Sequence, residues 1–323
     1  MLSKLLGVRI FDVEASSRCD VHCRFCPREH LPETGLMTQE TFDRFLDAVP
    51  LRPTDTVSFV GMGEPTLNPL LPEFVRRIKA RYPKTLTWIT SNGAHLAGDK
   101  ARRLIEAGLD ILDISFNGLE AESYEANMRG ARFETTLANV DRIVALIERT
   151  GAATQVQINY VIGPDNAGDA ENIERFWRAR GIRRFRPQKL HDRAGLLRTA
   201  AVSSTRGLNG KPCQLFEVIT FVSWRGDVLP CCHDVPRACA LGNVNRHAWS
   251  EIAARKRAIR RKHAWPALCK SCSDPLRFVL RRQIDRAFRK EMLDRLTHRL
   301  PTFGGLSAQP EETFPFSPAE PVD

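Results

Sequence analysis

Short apolar runs alternate with amphipathic stretches through the first two thirds of the chain. Runs rich in β-branched and aromatic residues predict strands over residues 8–13, 57–60, 86–90, 111–116, 155–162 and 183–188. Apolar positions at helical spacing predict helices over residues 39–48, 69–81, 100–107, 133–149 and 170–180. Parallel neighbours need crossover helices, so this alternation predicts an α/β fold with a parallel sheet, and six such units fit a partial (β/α)6 TIM-like barrel. The active site is then expected at the C-terminal ends of the strands.

Three cysteines, Cys19, Cys23 and Cys26, follow the first predicted strand. Thiolates are the usual protein ligands of iron–sulfur clusters, and closely spaced cysteines on one loop suit them. Three thiolates could hold three irons of a [4Fe–4S] cluster and leave the fourth iron open for chemistry. The pair Cys23 and Cys26 alone would also fit half of a zinc site, which is the structural alternative.

Polar and glycine-rich segments lie where the next strands end. The second strand ends in Gly61-Met62-Gly63-Glu64-Pro65, whose glycines let the backbone approach a ligand closely. The third and fourth strands end in Thr90-Ser91-Asn92-Gly93 and Ser115-Phe116-Asn117-Gly118, and Asn159 lies on the fifth. An ordinary Asn-Gly turn would explain the third and fourth segments equally well.

The Cys-x-x-x-Cys-x-x-Cys loop, with Phe25 before its last cysteine, resembles the signature of the radical SAM superfamily. In that family the open iron chelates S-adenosylmethionine (SAM), and reduction releases a 5′-deoxyadenosyl radical. Gly61 to Pro65 resembles the family's Gly-Gly-Glu-Pro motif, which holds the SAM amino group, although Met62 stands where the family has glycine. The resemblance implies SAM contacts at Phe25, Gly61, Met62, Gly63, Glu64, Ser91, Ser115 and Asn159.

More cysteines follow the predicted barrel. An apolar run over residues 216–224 leads through Arg225-Gly226-Asp227 to Cys231 and Cys232, and a Cys-x-x-Cys pair comes later. This arrangement resembles the SPASM or shorter twitch extension of radical SAM enzymes, which houses auxiliary [4Fe–4S] clusters. The ligands it implies are Cys213, Cys231, Cys269 and Cys272, with Cys232 as the substitute for Cys231. Cys239 is interpreted as a free thiol, and a zinc site built from the same four ligands is the alternative.

Charge and composition limit the setting. The 323 residues carry a formal net charge of +10, with basic clusters at residues 255–262 and 277–290. We interpret these clusters as solvated helical faces rather than nucleic-acid sites, because no nucleic-acid motif accompanies them; docking of an acidic electron donor is a further alternative. No signal peptide or membrane-spanning apolar run is evident, and nine cysteines suit metal ligation in a reducing compartment. A cytoplasmic location is therefore expected.

The domain organisation follows from these segments. We expect the radical SAM barrel over residues 1–200, the auxiliary-cluster domain over 201–275, a basic amphipathic helix over 276–300 and a disordered tail over 301–323. The segment before the first strand is too short for a peptide-leader recognition domain. That favours a small-molecule substrate over a peptide.

The leading functional hypothesis is oxidation of a small polyol, aminocyclitol or sugar alcohol, with the auxiliary cluster as electron acceptor. The chain resembles twitch-type dehydrogenases of aminocyclitols, including the interval of 18 residues from Cys213 to Cys231. Arg193 is a candidate to bind the substrate oxygen, and His191 is a candidate base. The expected partner is a flavodoxin- or ferredoxin-type electron donor. The alternatives are a peptide- or protein-modifying maturase or epimerase, and a non-catalytic electron-transfer protein that would not need a SAM pocket.

Overall fold

The predicted alternation of strands and helices is present in the computed structural model, which describes residues 7–163, 166, 168–197, 213–282 and 284–285. Each of the six predicted strands occurs within two residues of its expected ends. The strands up to residue 190 are β1 (Ile10–Val13), β2 (His22–Cys23), β3 (Thr56–Phe59), β4 (Leu86–Ser91), β5 (Ile111–Ser115), β6 (Met128–Arg129), β7 (Gln155–Ile162) and β8 (Arg184–Lys189). The helices are α1 (Gln39–Ala48), α2 (Leu71–Arg81), α3 (Asp99–Glu106), α4 (Ala121–Asn127), α5 (Phe133–Thr150) and α6 (Ala170–Arg178).

Six strands, β1, β3, β4, β5, β7 and β8, lie side by side in chain order, and every neighbouring pair among them is parallel. The predicted parallel α/β architecture is therefore confirmed. The remaining pair, β2 and β6, forms a separate two-stranded antiparallel sheet that holds the cysteine loop. Helix α4 and this small sheet were not predicted.

Local sequence explains the helix ends and the packing. Thr38 caps α1 by accepting a hydrogen bond from the Thr41 amide at 3.2 Å. Gly151 ends α5 in a left-handed conformation, with φ of 63°. Between the helices and the sheet, the rings of Phe42 and Phe74 stack with centroids 4.1 Å apart, and both are fully buried.

The cysteine-rich segment extends the same sheet. It contains α7 (Gln214–Val218), β9 (Ile219–Val222), β10 (Asp227–Leu229), β11 (Gly242–Asn243), α8 (Trp249–Arg261) and α9 (Ala267–Ser271). Strand β9 pairs in parallel with β1, and β10 returns antiparallel to β9 as a hairpin. The first barrel strand and the auxiliary segment are thus hydrogen-bonded neighbours.

The C-terminal part is described only at its beginning. Residues 276–282 and 284–285 are helical, which agrees with the start of the predicted basic helix. The rest of that helix and the predicted tail over 301–323 lie outside the described residues. Within the described part of the chain, no helix is long and apolar enough to cross a membrane.

Candidate active site between two cysteine sets

The first cysteine set lies on the loop that follows β1. Cys23 is on β2 opposite Met128, and the Cys26 amide donates to the Cys23 carbonyl at 3.1 Å. The Arg28 guanidinium donates to the Cys19 carbonyl at 2.7 Å and so pins the start of the loop. A cavity of about 310 Å³ opens beside Cys23 and Cys26. The three thiols are half-buried on a loop that leaves space for a ligand.

Free thiols are poorly suited to this environment. Burial raises the pKa of Cys19 to about 11, and burial together with the charges of Cys26 and Cys19 raises the pKa of Cys23 to about 12. Three thiolates held together this way need a cation to offset their repulsion, and the irons of a cluster supply it. The donor set therefore fits a [4Fe–4S] cluster.

The Gly61-Met62-Gly63 strand end lies directly against this loop. A Cβ atom on Gly63 would lie 2.4 Å from the Ser16 carbonyl oxygen and 2.5 Å from that of Arg18. The Glu64 amide donates to the same Arg18 carbonyl at 2.8 Å. Only glycine allows the two backbones to approach this closely.

Glu64 and Ser91 join the ends of β3 and β4. The buried Glu64 carboxylate accepts hydrogen bonds from the Thr66 amide and hydroxyl, the Ser91 hydroxyl and the Asn92 amide, at 2.6–3.0 Å. The Ser91 hydroxyl also accepts from the Gly93 amide at 3.0 Å. These side chains hold the strand ends in place, and their direct contacts with SAM stay predictions.

The other predicted SAM contacts are spread around the same edge of the sheet. Phe25 is half-buried between Cys23 and Cys26 on the loop. Ser115 ends β5 and lies opposite Asn159 within β7, whose side-chain amide nitrogen is 3.4 Å from the Ser115 hydroxyl.

The second cysteine set gathers four buried thiols. Cys213 precedes α7, Cys231 follows β10, and Cys269 and Cys272 lie on and just after α9. The charge of Cys213 acts on the pKa of Cys231, Cys269 and Cys272, which places Cys213 near all three. Burial is the largest cause of the raised pKa of each thiol, so this set also needs bound cations to carry thiolates.

The two remaining cysteines differ in environment. Cys232 is half-buried, burial raises the pKa of its thiol to about 12, and the charges of Asp12, Arg193 and Asp274 also act on it. Cys239 is half-buried, and its amide donates to Asp234 at 2.9 Å. The charges of Cys213 and Cys269 act on the pKa of Cys231, whereas that of Asp12 on β1 acts on the pKa of Cys232. This difference favours Cys231 as the fourth ligand, and the choice stays a prediction.

Sequence comparison accounts for both cysteine sets. Residues 13–176, just over half of the chain, match the radical SAM superfamily. The chain is a member of the radical SAM superfamily. Residues 213–273 match the iron–sulfur cluster-binding domain called SPASM, which favours a cluster over zinc at the second set. SAM and [4Fe–4S] clusters are therefore its cofactors, as predicted.

Relatives and solved structures agree with this assignment. GTP 3′,8-cyclase of Chlorobaculum tepidum is 31% identical over 134 residues, which are 41% of this chain and 40% of that protein. The match thus spans less than half of that relative. BtrN in complex with AdoMet and 2-DOIA has a TM-score of 0.57 at 19% identity and covers 83% of this chain and 94% of its own. SuiB of Streptococcus suis bound to the precursor peptide SuiA has a TM-score of 0.58 at 15% identity, with 84% and 73% covered. These two structural likenesses support the fold.

In this radical SAM enzyme, the loop after β8 carries the two predicted catalytic residues. Arg193, Ala194 and Gly195 all have positive φ, at 49°, 59° and 87°. Left-handed backbone costs a non-glycine residue about 1–2 kcal/mol, so other contacts must hold the turn. Asp192 provides them: its amide donates to the Ser273 hydroxyl at 3.2 Å, and its carboxylate accepts from the Ser273 amide at 3.3 Å. The loop is thereby fastened beside Cys272.

Arg193 and His191 face different neighbours. The charge of Arg193 lowers the pKa of both Cys26 and Cys232, so its guanidinium lies near both. Nδ1 of His191 accepts from the Arg193 amide at 3.2 Å, which leaves the proton on Nε2, 3.8 Å from Asp274. Burial lowers the pKa of His191 to about 3. In this arrangement His191 positions Arg193 and is a weak base.

Three polar residues near the two cysteine sets are not predicted from the sequence. Asp12 on β1 accepts from the Ser58 hydroxyl, and burial raises its pKa to about 6. His233 and Asp274 form a buried pair, with Nε2 to carboxylate oxygen at 2.7 Å. Asp12 could have been recognised as a candidate functional residue, because it lies inside the apolar run 8–13 and a purely structural strand avoids burying a carboxylate. His233 and Asp274 are each two residues beyond a predicted ligand, Cys231 or Cys272.

Glu14 connects the two halves of the site. One carboxylate oxygen accepts from the Met62 amide at 3.3 Å. The other accepts from the Trp224 amide at 3.3 Å and from the Arg237 guanidinium at 2.8 Å. A single buried side chain therefore links the Gly61 to Pro65 motif to the auxiliary segment.

Proposed function

We propose that this radical SAM enzyme oxidises a hydroxyl-bearing carbon of a small polyol, aminocyclitol or sugar alcohol to a carbonyl. When bound, SAM with its cluster supplies hydrogen-atom abstraction, and the auxiliary cluster accepts one electron. The observation that carries this proposal is the position of Arg193. Its charge acts on Cys26 of one set and on Cys232 beside the other, and its loop is bonded to Ser273. A substrate oxygen bound to Arg193 would lie between the two sets.

The protein's own groups must hold the oxygen and take one proton. Oxidation of an alcohol removes two hydrogens, one as an atom and the other as a proton plus an electron. The Arg193 guanidinium suits an oxygen that gains negative charge. Asp12 is the better proton acceptor, because a carboxyl with a pKa of about 6 is ionised near neutral pH and weakly basic. His191, predicted as a candidate base, is proposed instead to position Arg193 through the bond to its amide.

The interior of the barrel supports a small hydroxylated substrate. Asp113 on β5 is fully buried. Its carboxylate accepts hydrogen bonds from the Thr90 hydroxyl at 3.0 Å, the Gln157 side-chain amide at 2.8 Å and the Arg186 guanidinium. The inner faces of four neighbouring strands are thus lined with hydrogen-bonding groups. The structure of BtrN contains 2-DOIA, which agrees with a small-molecule substrate for this architecture. A flavodoxin- or ferredoxin-type protein is the proposed electron donor.

Epimerisation is the second candidate, and Cys232 favours it. This thiol is half-buried, the charges of Asp12 and Arg193 act on it, and it is not needed to complete the set of four ligands. A thiol in that position could return a hydrogen atom to a substrate radical. The fold is similar to that of SuiB bound to its precursor peptide, so the substrate of such an epimerase is proposed to be either a small molecule or a peptide.

Deuterium labelling separates the two reactions. Polyols and aminocyclitols deuterated at the carbinol carbon are incubated with reconstituted enzyme, reductant and SAM. A dehydrogenase transfers deuterium to 5′-deoxyadenosine, consumes one SAM per turnover and, from unlabelled substrate, gives a product two mass units lighter. Cys239→Ala serves as the control for Cys232→Ala. Product that gains one deuterium from deuterated water, only when Cys232 is present, would refute dehydrogenation.

A further inference from the structure

A basic surface lies on helix α8, whose Ile259 packs against the apolar cluster that contains Cys213 and Cys269. From Ala253 to Cys272 every formally charged side chain is Lys or Arg. Helix α8 and the residue after it expose Arg257, Arg260, Arg261 and Lys262, and Lys270 is exposed on α9. We call these five residues the α8 surface. Lys270 lies between the predicted ligands Cys269 and Cys272 in sequence, so the surface reaches the auxiliary site itself.

The helical residues after 275 border the same surface. Glu217 on α7 pairs with Arg260 at 3.9 Å and with Arg281 at 3.3 Å, which ties α8 to the C-terminal helical residues. Phe278 is 36% exposed, more than any other large apolar side chain in the described ranges. The Arg277 guanidinium lies 4.7 Å from the centre of its ring. The surface therefore combines clustered positive charge with an exposed aromatic ring, a composition common in protein interfaces.

A solvated helical face is the simplest explanation of such charge, but it fits poorly here. Like charges three or four residues apart destabilise a helix, and Arg257 has Arg260 and Arg261 at those spacings. After Glu251, α8 carries no acidic residue that would offset this repulsion. A negatively charged partner would offset it and would be steered to this face over a long range.

We propose that the α8 surface is the docking site of an acidic one-electron carrier protein that discharges the auxiliary cluster. The inference rests on the proposed dehydrogenase function, in which each turnover leaves one electron on that cluster. In the docked complex one electron passes to the oxidised carrier, and the cluster returns to its oxidised state. No bond forms or breaks. Cys269 and Cys272 lie on and just after α9, which carries Lys270. Cys213 precedes α7, whose Glu217 pairs with Arg260 of the surface.

Binding of the carrier is measured first, since it requires neither SAM nor substrate. Full-length protein is titrated into fluorescently labelled oxidised flavodoxin at low salt. We expect the triple variant Arg257→Glu, Arg261→Glu, Lys262→Glu to weaken binding at least about tenfold, and wild-type affinity to fall as salt rises. The matched control reverses three exposed charges elsewhere, Arg44, Lys84 and Arg149, and should change binding less than about twofold. Arg149 is in the last turn of α5, as Arg261 is in that of α8, so helix-end effects are matched.

Electron transfer is measured second, in a background with Cys19, Cys23 and Cys26 replaced by Ala. The remaining cluster is reduced, freed of reductant and mixed with oxidised flavodoxin, and the flavin absorbance is followed. The α8 variant should slow the transfer at least about tenfold at low salt, with iron content unchanged. Neither measurement uses SAM or the native substrate, so both results would stand even if the enzyme proved not to be a dehydrogenase. Equal effects in the α8 and control variants would overturn the docking proposal. So would tighter binding of RNA or anionic vesicles to the same surface.

Discussion

The substitution Glu64→Gln tests whether Glu64 fastens two strand ends through one buried carboxylate. The carboxylate is 2% exposed and accepts four hydrogen bonds, two of them from the backbone amides of Thr66 and Asn92. Glutamine has the same shape, but an NH₂ group replaces one oxygen. The Ser91 and Thr66 hydroxyls can rotate to accept from that group. The two backbone amides cannot, so either orientation of the glutamine leaves one amide facing NH₂.

The expected cost follows from this count. A buried amide left without an acceptor costs about 1–3 kcal/mol, and the loss of charge-assisted bonds adds about 1 kcal/mol. We therefore expect a free energy of unfolding lower by about 2–4 kcal/mol. For a chain of this size the melting temperature falls by about 2 °C per kcal/mol, which gives a decrease of roughly 4–8 °C.

Anaerobic thermal unfolding monitored by circular dichroism measures the change, and Glu73→Gln is the matched control. Glu73 is partly exposed and pairs on the surface with Arg76 at 2.6 Å, a kind of contact that contributes little to stability. Glu64→Gln should also slow SAM cleavage on the order of 10²-fold, because the strand ends that border the cysteine loop shift. If Glu64→Gln melts within about 1 °C of Glu73→Gln, the structural role assigned to this carboxylate is wrong.

Three further predictions concern the two clusters and the proton. Reconstituted protein should carry about eight irons. Replacing Cys19, Cys23 and Cys26 by Ala should remove about half of the iron and all SAM cleavage. SAM cleavage that persists in this variant would exclude the loop as the site of the SAM-binding cluster. Cys269→Ala with Cys272→Ala should leave SAM cleavage intact and abolish product formation, so a normal product yield would rule out the auxiliary cluster as electron acceptor. Only the ionised Asp12 carboxylate can accept a proton, so kcat/KM should rise with pH through about 6. Asp12→Asn should lower kcat/KM about 10²-fold or more and remove this rise, and an unchanged pH profile in Asp12→Asn would contradict the role.

Features that depend on local sequence were predictable. Most strands and helices of the barrel follow from apolar spacing within about ten residues. Candidate cluster ligands such as Cys19 and Cys23 are recognisable because neighbours on one loop lie close together in space. Helix α8 is harder to detect, since Ile252 is its single buried residue and its pattern is mostly polar. Helix α4 likewise buries only Tyr124. Short polar helices carry little periodic signal.

Contacts between distant segments could not be predicted from spacing. Glu14 bonds Arg237, 223 residues further along the chain, and Asp192 bonds Ser273 across 81 residues. The Glu14 contact follows from the pairing of β9 with β1. Asp192 follows β8 at the opposite edge of the sheet, so its contact joins that edge to the auxiliary segment. The apolar pattern within a strand does not predict which distant strand it pairs with.

Backbone contacts explain why methionine can stand at position 62, where the resembling family motif has glycine. The contact made at this position is a backbone contact, from the Met62 amide to Glu14, and any residue other than proline can donate it. Gly63 has no such freedom, because the Ser16 and Arg18 carbonyls occupy the space of a side chain. The motif therefore tolerates a side chain at its second position and excludes one at its third. Since the Met62 amide and Arg237 share the Glu14 carboxylate, the strand end at Gly61 to Pro65 and the auxiliary segment are held by one buried group.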